Sequence, residues 1–561
     1  MAQHDYVIDN STGANVRADI NNVLLAISSN NSGSSAPSTN YASQFFANTS
    51  SSMMQLRNTS NNAHINLFTL AGAPAFPLDG TINSINIGKG ANSVAGNTVL
   101  GESALDSGSL SGGNNTAIGK DALTTLTSGT LNTALGGSTL KVNTTGGSNV
   151  AVGASALIAN TTASNNVAVG KFAMVSNTTG AENTAIGTNA LDANTTGEKN
   201  TALGMHALSA NTTGSQNVSI GRGSLGSNTT ASNNTALGYF ALQQNTEGTS
   251  NVALGHSALT ACTTGSSNVA VGLNCLDANT TASNNVGVGT SALGETTTGA
   301  SNTAVGYQAL TKNTTADNNA AFGYKALFSN TTGTQNTAVG RHALIDNTTG
   351  NNNTAVGYNV LDETTTGSAN TALGVSALQK NTTGSFNVAL GVSALAANTT
   401  PNDNVAIGYH ALLSNTTGSD NLSIGTGSLD GCTTGSNNTA VGNGALTDMT
   451  TANNNTSVGH LSLSSNTTGA SNTAIGKDAG AGCTTGSNNT FLGHNSGSAG
   501  VGNVQSSSNN VCIGDNNVTD AFIKVSFTTG SDRRDKTDIT DFTYGLSWIN
   551  KLNPVTYRWD N

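Results

Sequence analysis

Aromatic side chains recur in this sequence at one equivalent place, directly after a glycine that closes a short aliphatic run. Tyrosine or histidine occupies this position at residues Tyr239, Tyr307, Tyr324, Tyr358, Tyr409, His256, His460 and His494. Equal positions of stacked repeats align in a file on one face. Such rings could stack on sugars, which predicts contact with a glycan; the alternative is a solvent-exposed position whose residue type varies freely.

The polar segment Ser531-Asp-Arg-Arg-Asp-Lys536-Thr-Asp-Ile539 is the second place where chemistry is expected. Its spacing alone would fit a solvated linker. The segment nevertheless closely resembles the start of the C-terminal intramolecular chaperone domain of phage tailspikes and fibres, the endosialidase-type peptidase S74 family. That family has Ser-Asp, a lysine five residues after the serine and an isoleucine three residues further on. The resemblance implies a domain that helps three chains assemble and then cuts itself off before the serine.

The same resemblance assigns roles to three residues. The bond that is cut would be Gly530–Ser531, with the Ser531 hydroxyl as the nucleophile and Lys536 as the base that activates it. A lysine can accept this proton when burial lowers its pKa. The chain contains 31 residues of the domain, only its start, so cleavage of this form stays open. Beyond that single self-cleavage, no enzymatic activity is expected.

The tyrosines belong to a 17-residue repeat that organises most of the chain. Its signature occurs at Asn149-Val-Ala-Val-Gly153. The glycine that closes it, called the anchor glycine here, recurs every 17 residues from Gly119 to Gly493. One unit is approximately Asn-Thr-Ala-Val-Gly-x-x-Ala-Leu-x-x-Asn-Thr-Thr-Gly-Ser-Asn. A fixed period of this size is the sequence signature of a solenoid.

The pattern within the unit favours an all-β fold, a parallel β-solenoid or β-roll. Ile, Val or Leu precedes the anchor glycine except at Phe322, and Leu or Met follows four residues after it until Gly480 and Gly497. We expect both aliphatic positions to stack in a core beside small alanines. Each coil offers two short strand-like runs and an Asn-Thr-Thr-Gly turn, where Asn and Gly tolerate left-handed conformations. A helix is excluded, because Thr, Asn and Gly disfavour it and no apolar stripe has helical spacing.

Thin coils predict the assembly of several chains. At about 4.8 Å per coil the repeat would extend over roughly 100 Å, yet each coil buries little apolar surface against ~17 ordered residues. Pooled cores of identical chains would stabilise such a shaft, and we expect a homotrimer. The strand half of the unit also resembles the head repeats of trimeric autotransporter adhesins of the YadA type, with their Asn-Ser-Val-Ala-Ile-Gly signature, although the period here is longer.

Segments of different character flank the repeat. Apolar residues at helical spacing predict an amphipathic helix over residues 15–28, and β-like runs at 53–57 and 63–70 predict a hairpin, so residues 1–80 would form a small α+β domain. Its opening, with Asp5-Tyr-Val-Ile-Asp-Asn10, resembles the virion-binding N-terminal segments of tail fibres from phages of marine and cyanobacterial hosts. We expect irregular first coils at 81–118, regular coils at 119–509, a transition at 510–530 and the truncated start of the chaperone domain at 531–561.

Composition excludes several classes of function. Charged residues make up 9%, and the net charge of −10 leaves no basic patch for nucleic acid. No apolar run reaches the ~20 residues of a membrane span, and no secretory signal is visible. Scattered histidines and unpaired carboxylates predict no metal, no cofactor and no glycosidase pair. Of the five cysteines, Cys262, Cys432 and Cys483 replace the Asn of Asn-Thr-Thr-Gly and Cys275 replaces a small alanine. They should be isolated, with pairing between chains as the alternative.

Together these features predict a structural and receptor-binding tail fibre or tailspike shaft of a bacteriophage. It would be a homotrimer, made in the host cytoplasm and located in the virion, with its N-terminus on another tail protein. Its shaft or distal end would contact a glycan or protein receptor on the host cell surface. Two alternatives remain. A trimeric bacterial surface adhesin would need export and anchoring segments, and an ice-binding β-solenoid would use threonine files of the Asn-Thr-Thr corner on a monomer.

Overall fold

Strands of three residues, one in each coil, dominate the structure. The computed structural model describes residues 32–33, 45–50, 53–57, 64–69, 79–82, 84–497 and 504–520. Strands β1 to β7 are Ser32–Gly33, Phe45–Asn48, Met53–Arg57, His64–Thr69, Asp79–Ile82, Ile85–Gly88 and Thr98–Gly101. Strands β8 to β31 are Thr116–Ile118, Thr133–Leu135, Val150–Val152, Val167–Val169, Thr184–Ile186, Thr201–Leu203, Val218–Ile220, Thr235–Leu237, Val252–Leu254, Val269–Val271, Val286–Val288, Thr303–Val305, Ala320–Phe322, Thr337–Val339, Thr354–Val356, Thr371–Leu373, Val388–Leu390, Val405–Ile407, Leu422–Ile424, Thr439–Val441, Thr456–Val458, Thr473–Ile475, Thr490–Leu492 and Val511–Ile513. A 3-10 turn at Ala91–Ser93 is the one helical element of the described residues, so the predicted all-β fold is confirmed.

The strands from β8 onward form one continuous parallel sheet. Each strand pairs in register with the equivalent strand of the next coil, as Val150 does with Val167. This pairing confirms the parallel β-solenoid of 17-residue coils. Positions in a coil are numbered here from the Asn four residues before the anchor glycine, so that in the coil 149–165 Asn149 is position 1 and Gly153 is position 5.

Only one of the two predicted strand-like runs in each coil is a strand. Positions 2 to 4 form it, whereas positions 6 to 11 form turns that still bond from coil to coil. Ser155 N donates to Gly137 O (2.9 Å) and Leu157 N donates to Ala173 O (3.0 Å). The backbone of Ser155 and Leu157 is left-handed, with φ of 59° and 51°, an unusual conformation for a leucine. These left-handed residues interrupt the extended backbone that a second strand would require.

The interior of each coil is narrow and is formed by alanine and leucine together with asparagine. Ala151 and Ala156 at positions 3 and 8 and Leu157 at position 9 are buried in the coil 149–165. Strand side chains alternate between faces; with position 3 inside, Val150 and Val152 face outward and are only half-buried. The predicted aliphatic core file is therefore correct for position 9 and wrong for position 4, the residue before the anchor glycine.

Two files of buried asparagines connect the coils. At position 1, Asn149 Oδ1 accepts the backbone N–H of Asn166 (3.0 Å), and Asn149 Nδ2 donates to Ala163 O (2.9 Å). At position 12, Asn160 Nδ2 donates to Asn143 Oδ1 (2.9 Å) and to Ala163 O (3.1 Å). Each amide thereby replaces the water that it loses on burial. The asparagine of Asn-Thr-Thr-Gly, predicted to be a turn residue, is thus a core residue.

The anchor glycine is required because successive coils approach each other closely at position 5. Gly323 has a φ of +141°, and a Cβ built there would lie 2.6 Å from the carbonyl carbon of Gly340 in the next coil. Glycine alone accommodates both the backbone conformation and the contact. The sheet and the following turn can therefore be joined at the same place in every coil.

Changes of size or polarity in the core are matched by a neighbouring side chain. Ser219 and Ser224, at positions 3 and 8 of one coil, hydrogen-bond through their hydroxyls at 2.5 Å. Equivalent serine pairs occur at Ser423–Ser428 and Ser457–Ser462. Cys275 is larger than the usual alanine of position 8, and Gly287 of the next coil makes room for it: a Cβ there would lie 2.5 Å from Cys275 Sγ.

The two ends of the solenoid differ from its middle. Strand β7, with the signature at residues 97–101, pairs in parallel with β8 and starts the coils. The signature at residues 86–88 was expected to form a coil. Strand β6, which contains it, instead runs antiparallel to β5 and β7 and covers the end of the sheet. At the other end, Thr490 of β30 lies opposite Val511 of β31. The sheet therefore continues past residue 509, the expected end of the regular coils.

A second, four-stranded sheet lies in the N-terminal region, in the order β1-β2-β3-β4. Strands β3 and β4 pair antiparallel, with Leu56 opposite Ile65, which confirms the predicted hairpin. The helix predicted over residues 15–28 lies outside the described residues. Within the described ranges, no helix has the length and apolar character needed to span a membrane.

Four cysteines lie inside the coils to which they belong. Cys262, Cys275, Cys432 and Cys483 are buried free thiols. Burial raises the pKa of Cys262 to about 11 and that of Cys275 to about 12. These four are isolated core residues, as predicted, and their position inside a coil contradicts the alternative of a disulfide to another chain.

Candidate functional site

One surface feature follows the solenoid from coil to coil: the outer aliphatic file, the position-4 residues from Ile118 to Leu492. The side chains of this file follow one another on the outside of the sheet in every coil. Those that are most open to solvent range from Val339, 37% exposed, to Leu373, 50% exposed. Since parallel strands lie about 4.8 Å apart, the file extends over roughly 100 Å. Monomeric soluble proteins rarely expose a continuous apolar surface of this length.

Three of the predicted tyrosines form the tyrosine stack, which comprises Tyr307, Tyr324, Arg341 and Tyr358 at position 6 of four successive coils. The rings of Tyr307 and Tyr324 stack with centroids 5.4 Å apart. The guanidinium of Arg341 lies 5.8 Å from the Tyr324 centroid and 5.5 Å from the Tyr358 centroid. The stack presents exposed aromatic faces held in line by a cation, an arrangement worth about 0.5–1 kcal/mol per exposed contact.

A second group of aromatic side chains surrounds Arg222, also at position 6. Its guanidinium lies 5.7 Å from the ring centroid of Tyr239 and 5.8 Å from that of Phe240, and Nη1 donates to the Tyr239 hydroxyl (3.1 Å). Tyr239 in turn stacks on His256 of the next coil, with centroids 5.2 Å apart. The structure thus brings Tyr239 together with His256 but not with the other four tyrosines.

The remaining members of the aromatic position lie apart from both groups. Tyr409 stacks on the adjacent His410 with centroids 3.8 Å apart, and the two coils between it and Tyr358 carry Val375 and Val392 at position 6. His494 Nδ1 lies 3.4 Å from Asp515 Oδ2. The predicted single aromatic file is therefore divided into separate groups.

The cations of these groups were not predicted from the sequence. Arg222 and Arg341 occupy the same repeat position as the tyrosines, so their place in the file was visible in the sequence. Lys325 lies 5.7 Å from the Tyr324 ring and 5.2 Å from the Phe328 ring, because position 7 of one coil adjoins positions 6 and 10. A search for charged residues at positions 6 and 7 would have found all three.

Two surface cavities lie where glycine replaces the usual side chain of position 10. Gly226 borders a cavity of about 270 Å³ that is also lined by His206, Arg222 and Phe240. Gly294 borders a cavity of about 470 Å³ that is lined by Asp277 and Glu295. The two cavities share their origin and differ in charge.

Several carboxyl groups at position 10 are partly buried, and burial raises the pKa of Asp192, Asp277, Asp362 and Asp430. For Asp362, the neighbouring carboxylate of Asp346 raises the pKa further, while His342 lowers it. Over the described part of the chain, no three His, Cys, Asp or Glu side chains converge in a way that could hold a metal ion.

Only one of the two threonines of each Asn-Thr-Thr corner is available to a ligand. At position 13, Thr161 Oγ1 donates to Thr178 O (3.1 Å), and Thr178 Oγ1 donates to Thr195 O (3.0 Å). The threonine at position 14, such as Thr162, is exposed. Each corner thus offers one free threonine file instead of two, which reduces the surface that an ice-binding interpretation requires.

The C-terminal segment is characterised by its sequence. Residues 531–561 match the family Peptidase_S74, described as chaperone of endosialidase. This match bears out the resemblance found for the segment, and with the 17-residue solenoid it fits a phage tail fibre with a chaperone domain. Gly530, Ser531 and Lys536 lie outside the described residues, so their roles in self-cleavage stay predictions. Comparison with curated proteins and with solved structures found no match.

Proposed function

We propose that this protein is a homotrimeric tail fibre of a bacteriophage that attaches the virion to the host cell surface. The observation that carries the proposal is a long parallel β-solenoid that leads into a segment of the endosialidase chaperone family. Residues 1–80 bind another tail protein, and the solenoid forms the shaft. The C-terminal segment assists assembly and is then released by cleavage of Gly530–Ser531, with Ser531 as nucleophile and Lys536 as base.

The outer aliphatic file is the surface through which the three chains associate. Summed over all coils, its exposed fractions amount to on the order of 1,000 Å² of apolar surface per chain, more than the roughly 800 Å² per partner of a standard interface. The largest apolar patch of a typical monomer is smaller, at roughly 300–600 Å². Burial of this file also supplies the apolar contact that the narrow coil interior lacks.

Identical chains fit this surface better than any unrelated partner. The file repeats once per coil, and only another copy of the solenoid, running in the same direction, presents apolar side chains at the same spacing over the whole length. No charged residue occurs at position 4 from Ile118 to Leu492, so three such files can meet without burying a charge. We expect the three chains to align coil by coil.

The tyrosine stack is the part of the shaft that contacts a host glycan. Tyr307, Tyr324 and Tyr358 offer exposed rings in line with Arg341, and the negative face of an aromatic ring attracts the C–H groups of a sugar. The stack spans four coils, or roughly 14 Å, which suits an extended oligosaccharide of a few sugar rings. Tyr239 and Tyr409 contribute separate contacts.

Binding of the purified full chain to an array of bacterial surface glycans tests this function. Tyr324→Ala removes the centre of the stack and should reduce binding of the recognised glycan at least tenfold. Tyr409→Ala is the matched comparison and should reduce binding less, because Tyr409 has the same repeat position but stacks only on its neighbour His410. Equal loss in both variants, or binding that Tyr324→Ala leaves unchanged, would contradict the assignment of the stack.

A further inference from the structure

The cavity beside Arg222 has the features of a built ligand site. It is about 270 Å³ in volume and is lined by His206, Ser209, Arg222, Gly223, Gly226, Ser227, Phe240 and Gln243. Sites for drug-sized ligands are usually larger, roughly 300–1,000 Å³. The cavity therefore suits one small ring.

The absence of two side chains in one coil opens this cavity. Gly223 and Gly226 occupy positions 7 and 10, where the next coil has Phe240 and Gln243. The Phe240 ring covers Gly223 so closely that a Cβ there would lie 2.6 Å from Cε1. At Gly226 the nearest side-chain atom to such a Cβ would be Cγ of Gln243, 3.9 Å away. One wall is thus aromatic, and the space above Gly226 is open.

The polar groups around the cavity favour an anion. Arg222 forms no ion pair among the described residues, and its guanidinium is held by the Tyr239 hydroxyl and by two aromatic rings. None of the lining residues is acidic, although the Asp192 carboxylate interacts electrostatically with His206. A guanidinium that is fixed in place and has no carboxylate partner can form the paired hydrogen bonds that a planar carboxylate accepts.

We infer that this cavity binds a pyranose ring that carries a carboxylate, a hexuronate residue of a surface polysaccharide. The apolar face of the ring packs on Phe240, the carboxylate accepts hydrogen bonds from Arg222, and Ser227 and Gln243 hydrogen-bond to ring hydroxyls. The inference rests on the proposed function, because the hexuronate would be the charged sugar that the fibre recognises. The cavity lies at least four coils from the tyrosine stack.

The cavity beside Gly294 provides an internal comparison. Glycine opens it at the same repeat position, but Asp277 and Glu295 line it, so its charge repels a carboxylate. A ligand that entered any gap of the surface would bind in both places. A hexuronate should bind only beside Arg222.

Saturation-transfer NMR on the full chain with methyl glucuronide and methyl galacturonide tests the inference, with methyl glucoside as the neutral sugar. We expect saturation transfer to at least one uronide and none to the glucoside. Gly226→Gln fills the cavity with the side chain that the next coil carries there and should abolish the signal. Gly294→Gln makes the same change beside the acidic cavity and should leave it intact. Arg222→Gln should weaken uronide binding at least tenfold.

Each outcome is decisive for this site. Absence of transfer to both uronides, equal transfer to the glucoside, or a signal that survives Gly226→Gln would overturn the inference. If array binding remains sensitive to Tyr324→Ala while the uronides fail to bind, only the hexuronate site is refuted. If the chain neither assembles nor binds any glycan, the proposed fibre function itself fails.

Discussion

The buried ring of Phe491 occupies the space that Gly480 leaves in the leucine file. Phe491 lies at position 3, where most coils have alanine and a few have serine or, at Gly287, glycine, and Gly480 lies at position 9 of the preceding coil. A Cβ on Gly480 would lie 2.6 Å from Cδ2 of Phe491, and Gly497 faces the same ring from the other side. The interruption of the leucine file seen in the sequence is therefore an exchange of two leucines for one phenylalanine.

Phe491→Ala should destabilise the last coils by about 3–5 kcal/mol, because the two glycines cannot refill the cavity. Hydrogen exchange followed by mass spectrometry should show faster exchange of amides between residues 472 and 497. Adding Gly480→Leu restores the usual pair of residues, and its φ of +62° matches that of the other leucines of the file, so part of the protection should return. Phe386→Ala, at a ring that is 61% exposed, is the control and should change little.

Cys262→Asn should stabilise the solenoid by about 1–2 kcal/mol, because a buried acceptor gains its missing donor. Asn245 Oδ1 is buried without a hydrogen-bond partner in the described structure, and Cys262 is the next residue of that asparagine file. Cys432→Asn is the matched control. There the preceding Asn415 Oδ1 already accepts the N–H of Gly418 (3.1 Å), so the gain should be smaller. Local amide exchange measures both, and an equal effect of the two variants would contradict the explanation.

The coils around Asp362 should become more stable as the pH falls below neutrality. Burial, with the nearby carboxylate of Asp346, raises the pKa of Asp362 in the folded chain above its ordinary value of 3.8. The folded coil therefore binds this proton more tightly than the unfolded chain does, and stability increases as the pH falls through the raised pKa towards 3.8. Asp362→Asn should flatten this part of the profile and slow local exchange at pH 7. An unchanged pH slope in the variant would refute the assignment.

Phe322→Lys should dissociate the assembled chains, because it places a charge in the middle of the outer aliphatic file. Phe322 is 40% exposed in the single chain, so the coil itself should still fold, which circular dichroism can check. Thr332→Lys introduces the same charge at position 14 of the same coil, where the side chain is exposed. It should leave the assembly intact. Sedimentation velocity separates the two species, and a Phe322→Lys variant that stays trimeric would exclude this face as the interface.

The sequence predicted the coil and its period because the residues that repeat are also those that stack. The leucines of position 9 and the alanines of positions 3 and 8 were identified correctly, since both the size and the spacing of these residues are constant. The outward direction of position 4 was missed, because a file of Val, Ile and Leu on a surface looks the same in sequence as one in a core. Strand alternation settles it: once small Ala151 is inside, Val152 must be outside.

The candidate sites were predictable in part. The tyrosines were found through their shared repeat position, but their division into groups depends on residues between them, such as Arg341, Val375 and Val392. Cavities are harder to predict, since Gly226 opens one by lacking a side chain, and glycine is common throughout this sequence. The buried asparagine of position 12 was mistaken for a turn residue, because its hydrogen bonds reach a residue 17 positions away.

Self-cleavage can be tested by the intact mass of the purified chain. A product that ends at Gly530 would support the predicted roles of Ser531 and Lys536, and each of the variants Ser531→Ala and Lys536→Ala should then retain the full mass. If neither variant is cleaved but both assemble normally, the chemical step is separate from the assembly step. Cleavage that persists in Ser531→Ala would refute the assignment of the nucleophile.

The central claim, a shaft in which three chains associate through the outer aliphatic file, is tested most directly by native mass spectrometry of the full chain. The proposal predicts the mass of three chains, whether or not each has been cut before Ser531. The same spectrum of Phe322→Lys should show single chains. A monomeric mass for the unmodified protein would contradict the trimeric fibre.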